Sequence, residues 1–290
     1  VKVALVQAKP RKGDREANFA ALREIFAQLE SDGTPDLIVL PEAAMTGYFL
    51  EGAVYELAYE AQAFVDRLAA EWTAAGAKGD VDIVSGFFEN DRGTYYNSAV
   101  YATIRGGRGR AAHVHRKMFL PTYGVFDEER FLSRGRRLSA FETKFGCAAM
   151  LICEDAWHAI MPTIAAIKGA RLLIIPSASP GRGLAGEGEL QSVSHWRDLL
   201  RDHAVEHGVF VLYAGLTGFE GGKGMTGSSC IIGPMGDVIA QAPALGACIV
   251  RASIDLVDID VARASLPLLG DLAAVLPDLL LDEELRERRG

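Results

Sequence analysis

Four side chains able to do chemistry stand at the edges of apolar runs, far apart along the chain. Cys153 ends the run Ala148-Ala149-Met150-Leu151-Ile152 and is followed at once by Glu154-Asp155-Ala156-Trp157, which reads as a strand stopping and a helix starting. A thiol at such a corner lies at the positive end of a helix, where a thiolate is favoured and unpaired N–H groups point outward. That is a setting for acyl chemistry. Glu42 follows the short run Leu37 to Leu40 and Pro41, and a carboxylate there must reach solvent or find a buried partner. Lys117 closes His113-Val114-His115-Arg116 just ahead of the apolar turn Met118 to Pro121, and Glu128 lies in Gly124 to Phe131, a polar stretch clamped by aromatics. Taken singly, these would be a core cysteine, a partnered core acid, a surface lysine and a surface acid.

Elements that could bring them together are written in the hydrophobic pattern. Strand-like and helix-like stretches alternate along most of the chain, the signature of α/β layering. The order then recurs. Val3 to Gln7, an amphipathic helix from about Asp14 to Glu30 and Leu37 to Leu40 before Pro41-Glu42 match Cys147 to Ile152, a short helix ending near Gly169 and Leu172 to Ile175 before Pro176-Ser177. Leu22, Ile25, Phe26 and Leu29 form the first helix's stripe, with Asp14 as N-cap and Gly33 and Pro35 as stops. Val81 to Gly86 pairs with Val209 to Gly215, and a hairpin over Asn97 to Ile104 and Ala112 to Arg116 pairs with Ser228 to Ile232 and Asp237 to Ala240. Two similar halves, about 1–132 and 145–260, predict an α/β fold in which two sheets pack face to face between helices, a four-layer αββα sandwich. A site is expected where strand ends of both halves meet.

Taken together and in this order, the blocks resemble the nitrilase, or carbon-nitrogen hydrolase, superfamily. They are Leu40-Pro41-Glu42, His115-Arg116-Lys117 with Leu120-Pro121 and Phe126-Asp127-Glu128, and Leu151-Ile152-Cys153-Glu154-Asp155, followed by Gly227-Ser228-Ser229 to Gly236-Asp237-Val238. The resemblance spans about residues 1–265. It implies the αββα sandwich, a Glu42-Lys117-Cys153 triad with Glu128 as a second acid, and amide hydrolysis through a thioester acyl-enzyme with no metal or organic cofactor. Glu154, Tyr123 and Ser177 complete the candidate site as substrate or oxyanion contacts. Nitrile-hydrolysing members place Trp-Glu after the cysteine, where this chain has Glu154-Asp155, so nitrile activity is disfavoured. N-carbamoyl amino acid hydrolases carry an arginine a few positions later, where Trp157 and His158 stand here. The combination is most similar to the glutamine-hydrolysing portion of glutamine-dependent NAD synthetases. Without that family's ATP-using domain, a free-standing amidase acting on a small-molecule amide is expected. The alternatives are carbamoyl hydrolysis on the same triad and a catalytically silent binding protein on the same fold.

Composition bounds the rest. The chain has 290 residues, 49% of them hydrophobic, and a net charge of −8, which suits a large core and argues against nucleic-acid or anionic-membrane partners. Arg130, Arg134, Arg136 and Arg137 form the dense basic run, read as a solvated loop. Four cysteines without a C-x-x-C pair point to a reducing compartment, and the N-terminal run, soon broken by Lys9, Arg11 and Lys12, is too short for a signal peptide. A cytoplasmic location is expected. His203-x-x-Glu206-His207 matches an inverted zinc-protease pattern, but its neighbours Trp196, Leu199 and Leu200 argue for a packing face. Gly181-x-Gly183-x-x-Gly186 spells a dinucleotide fingerprint after too long a loop, Gly221-Gly222-Lys223-Gly224 reads as a turn, and His113-x-His115 as a sheet pair. The apolar tail, 266–290, wants a partner surface, and the resemblance, to a family that dimerises through helices, implies a homodimer; a monomer mass by light scattering would overturn that.

Overall fold

The computed structural model describes residues 1–183 and 190–283. The first half holds β1 (Lys2–Gln7), α1 (Arg15–Ser31), β2 (Leu37–Val39), α2 (Val54–Leu57), α3 (Ala61–Ala74), β3 (Val81–Asp91), β4 (Thr94–Arg105) and β5 (Arg108–Arg116). The second holds β6 (Ala140–Thr143), β7 (Gly146–Met150), α4 (Ile160–Ile167), β8 (Leu172–Ser177), α5 (Gln191–His207) and β9 (Phe210–Gly215). A small hairpin, β10 (Gly218–Glu220) and β11 (Lys223–Met225), precedes β12 (Cys230–Ile232), β13 (Val238–Gln241), β14 (Cys248–Ser253), α6 (Val257–Ser265) and α7 (Leu268–Leu281). The Asp14 carboxylate accepts from Ala17 N–H at 3.1 Å and caps α1, a contact typically worth about 1 kcal/mol.

The main strands form two six-stranded sheets, ordered β14-β1-β2-β3-β4-β5 and β13-β12-β9-β8-β7-β6. In each sheet a parallel trio, β1-β2-β3 or β7-β8-β9, is extended by antiparallel strands on both sides. The repeat in the sequence is therefore a repeat of topology, with one departure. The strand flanking β1 is β14, which crosses back from the far end of the chain, whereas its counterpart β6 lies next to β7 in sequence. Alternation along a strand divides its side chains between two cores. Val3, Leu5, Leu37 and Val39 pack with second-sheet residues such as Ile174 and Leu212, while Ala4, Val6, Ile38 and Leu40 pack beneath α1 and α3. The α4 and α5 residues Met161, Ala165, Trp196 and Leu200 cover the other outer face. This is the four-layer αββα sandwich.

One local expectation changes. The segment after Cys153 is a single 3-10 turn, Cys153–Trp157, and the α-helix begins only at Ile160. No residue of α7 is buried, and Val275, Leu279, Leu280 and Leu281 are exposed. Among the described residues no single helix is long and apolar enough to cross a membrane; α6 and α7 satisfy length and composition only as a pair bent by 66°. The charged end of the tail, from Glu284, lies outside the described residues.

Candidate active site

The chemistry-bearing residues sit just past strand ends. Glu42 follows β2, Lys117 follows β5, Cys153 follows β7 and Ser177 ends β8. Close backbone approach makes this possible. A Cβ on Gly86 would lie 2.4 Å from the Glu42 Cα, and one on Gly135 would lie 2.0 Å from the Arg116 carbonyl oxygen. Only glycine fits at either place. Gly135 N–H also donates to the Lys117 carbonyl at 2.7 Å, which fixes the lysine's backbone on the far side from β4.

Glu42 and Lys117 are fully buried, and Glu128 nearly so. The Lys117 ammonium donates to Glu42 Oε1 at 2.8 Å and to Glu128 Oε1 at 2.8 Å. Asn97 Nδ2 donates to the same two oxygens at 2.7 and 3.2 Å, the Tyr48 hydroxyl donates to Glu128 Oε1, and Ala178 N–H donates to Glu42 Oε2 at 2.7 Å. Burial lowers the Lys117 pKa, but the Glu128 and Glu42 carboxylates outweigh it and hold the amine well above its ordinary value. The lysine is a fixed cation.

Cys153 is 8% exposed and adopts φ 45°, a left-handed conformation costing a non-glycine residue on the order of 1–3 kcal/mol. The turn lifts the thiol out of the line of β7, and Ala43, next to Glu42, adopts φ 51° in the same way. Burial first, and then the Glu42 carboxylate, push the thiol pKa far up; Lys117, the Ser177 hydroxyl and Ala178 N–H pull against them and lose. A helix terminus was expected to favour the thiolate, but one 3-10 turn supplies too little dipole to offset desolvation and a neighbouring carboxylate. The balance of these causes favours a thiol that keeps its proton until a base takes it. Ser177 is fully buried beside it, and its hydroxyl meets no well-oriented hydrogen-bond partner among the described residues.

Glu42, Lys117, Glu128, Cys153 and Ser177 thus converge. Glu154 and Tyr123 form a separate pair nearer the surface, the Tyr123 hydroxyl lying 3.0 Å from each Glu154 carboxylate oxygen. The Arg182 guanidinium lies 6.0 Å from the Tyr123 ring centre and 5.2 Å from that of Phe126. A recess of about 240 Å³ lined by Tyr48, Phe49, Phe88, Val125, Glu128 and Lys223 opens against Glu128. A groove of about 280 Å³ on the Glu154 side is lined by Phe119, Tyr123, Arg134, Glu154 and His158 among others.

The carbon-nitrogen hydrolase family pattern matches residues 2–264. The chain belongs to that family. This carbon-nitrogen hydrolase is 27% identical over 258 residues to a glutamine-dependent NAD(+) synthetase of Thermotoga maritima, covering 88% of this chain and 42% of that protein. It thus spans less than half the length of that relative. It is 32% identical over 267 residues to a 2-oxoglutaramate amidase of Bacillus subtilis, covering 91% and 92% of the two chains. A crystal structure of a Helicobacter pylori carbon-nitrogen hydrolase superposes with TM-score 0.82 at 26% identity, over 97% of this chain and 98% of that one.

Several contributors to this candidate site escape a reading by sequence. Asn97 and Tyr48 carry no motif of their own and matter only through what they touch. Glu220, in the β10–β11 hairpin, accepts from Tyr48 N–H at 2.9 Å and Phe49 N–H at 3.0 Å. It anchors the segment whose hydroxyl meets Glu128. Asp155, adjacent to the motif, had a signal in its position: an acid among apolar residues at a strand end needs donors.

The decoys resolve into structure. His203 Nε2 lies 2.8 Å from the Ala156 carbonyl, His207 Nδ1 lies 2.9 Å from the His203 carbonyl, and His207 Nε2 lies 3.0 Å from Thr163 Oγ1. These three ring nitrogens are engaged in packing α5. Gly221 and Gly222, both at positive φ, form the two-residue turn of the β10–β11 hairpin. His113 stacks on Phe141. Of the Gly181-x-Gly183-x-x-Gly186 pattern, residues 184–186 lie outside the described residues.

Glu128 makes a pH test available. Burial raises its pKa, Lys117 lowers it and Glu42 raises it, leaving it at about 7 against an ordinary 4.5. Oε1 takes three donors whereas Oε2 has none among the described residues, so the retained proton resides on Oε2. Between pH 4.5 and about 7 the folded chain then binds more protons at Glu128 than the unfolded chain does. The stability contributed by this group therefore falls as pH rises through that window and stays lower above it. Urea denaturation should show wild type losing stability relative to Glu128→Gln from pH 5 to 8. Parallel pH profiles would mean that Glu128 ionises normally.

Proposed function

We propose that this chain hydrolyses the carboxamide of a small molecule through a thioester on Cys153, releasing ammonia and a carboxylic acid. The observation that carries the reading is a buried thiol at a strand end, close to a buried carboxylate which is itself fixed by a buried ammonium. A neutral thiol attacks an amide only when a base removes its proton as the bond forms. Glu42 is that base. It takes the thiol proton while sulfur bonds to the carbonyl carbon, and the carbonyl π electrons move onto oxygen. Lys117 Nζ and the Glu154 N–H, which opens the 3-10 turn, stabilise the oxyanion, each such donor being typically worth about 3 kcal/mol. The tetrahedral species collapses, the C–N bond breaks, and Glu42 returns the proton to the departing nitrogen. Water then attacks the thioester, Glu42 takes a water proton, and collapse expels sulfur, which is reprotonated as the acid leaves. Glu128 holds Lys117 through Oε1 and keeps Oε2 for the incoming amide.

The names of the two kinds of relative support one substrate class in this reading. Glutamine and 2-oxoglutaramate share a terminal carboxamide remote from a carboxylate and differ in carrying an ammonium or a ketone beside that carboxylate. We assign Arg182, at the Tyr123–Phe126 edge, to the substrate carboxylate and Glu154 to an ammonium. Ammonia release should be measured on glutamine, 2-oxoglutaramate, carbamoyl amino acids and neutral amides; silence on all of them from folded protein would end the proposal. Glu154→Gln should lower kcat/KM for the ammonium-bearing amide about tenfold or more, the range of one charge-assisted hydrogen bond. It should leave the keto amide within about threefold. Equal effects on both would remove Glu154 from substrate recognition.

A further inference from the structure

Asp155 is fully buried, and no part of the reaction just described uses it. Its carboxylate accepts four hydrogen bonds. Oδ1 takes Met118 N–H at 2.9 Å and Phe119 N–H at 3.0 Å. Oδ2 takes Ile152 N–H at 3.1 Å and lies 2.8 Å from His115 Nε2, and a carboxylate at that distance requires the ring nitrogen to carry its hydrogen. Ile152 immediately precedes Cys153. His115 lies two residues before Lys117, and Met118 and Phe119 are the two that follow it. One side chain thus ties the backbone entering the nucleophile's turn to the chain on both sides of the lysine.

Among the described residues no strand pairing joins those segments directly. β5, which ends at Arg116, belongs to the first sheet, and β7, which leads to Cys153, belongs to the second. Two sheets in contact through apolar side chains can slide by fractions of an ångström with little change in buried area. Four directional bonds to a buried anion cannot, because a displaced donor leaves a charged acceptor unsatisfied. From this we infer that Asp155 is a positioning residue whose carboxylate fixes the Lys117 ammonium relative to the Cys153 sulfur, and so places the oxyanion's cation.

The inference rests on Lys117 and Cys153 having the roles proposed above, and its test separates the two. In crystals of Asp155→Asn, the amide nitrogen must face N–H donors, and the Nζ-to-Sγ separation should differ from wild type by about 1 Å, a misplacement that can cost about 100-fold in rate. Correspondingly, kcat for ammonia release should fall about 100-fold while KM stays within about threefold. A merely structural role would lower the melting temperature without that split. His115→Leu removes one of the four donors and should fold even where Asp155→Asn does not; it should lower kcat about tenfold by the same mechanism. An unchanged Nζ-to-Sγ separation, or kcat within threefold of wild type in both variants, overturns the inference. Wild type inert on every amide would instead overturn the proposed reaction, and the crystallographic separation would still decide the role of Asp155.

Discussion

Cys153→Ala is expected to lower amide turnover by about 10⁴-fold or more, the size of effect seen when a nucleophile acting as part of a unit is removed. The fold should survive, because the side chain replaced is small and the 3-10 turn is held by Asp155. Mass spectrometry of wild type mixed with substrate should find the acyl adduct on the Cys153 peptide, and none anywhere in the variant. An adduct on Cys147 or Cys230, or turnover within tenfold of wild type, would remove Cys153 from its role. A low-pKa thiolate would react with little help, whereas burial and Glu42 favour this thiol keeping its proton. Sulfur and base are therefore useful only together.

Lys117→Met is expected to have the largest effect on stability. It leaves Glu42 and Glu128 facing each other in the interior without a cation, and breaking a buried pair in this way costs about 3–5 kcal/mol. Asn97 and Tyr48 still donate to the pair, and Glu128 escapes part of the cost by protonating. The loss should therefore be smaller at pH 5 than at pH 8, measured by urea denaturation at both. Activity should also fall by about 10²–10³-fold as the oxyanion loses a donor. Stability within 1 kcal/mol of wild type at pH 8 would mean that the ammonium does not bind these acids together.

The fold was open to sequence reasoning to the extent that it depends on local pattern. The short apolar run Val3 to Val6 and the 3.6-residue stripe of α1 identify strand and helix because the run and the stripe are properties of neighbouring residues. The recurrence of Leu-rich strands ending in Pro41-Glu42 and Pro176-Ser177 exposed the two-fold plan for the same reason. The expected helix after Cys153 failed on a matter the pattern does not encode. A strand that must turn sharply to present a thiol spends its next five residues in a tight turn, and the carboxylate of Asp155, gripped by donors from elsewhere, holds it there.

From residue order came the α/β layering and the duplication, which are properties of short segments and their spacing, and the set of four residues at strand ends or in a loop, which the family resemblance picked out. Tertiary structure alone decided that β14 returns to border β1, that Lys117 bridges two buried acids, that the balance of causes favours a protonated thiol, and that Asp155, Asn97, Tyr48 and Glu220 support the site. All of these depend on groups far apart in the chain meeting away from water. Desolvation and charge-to-charge distance set their behaviour there, and neither exists until the two sheets have closed on each other.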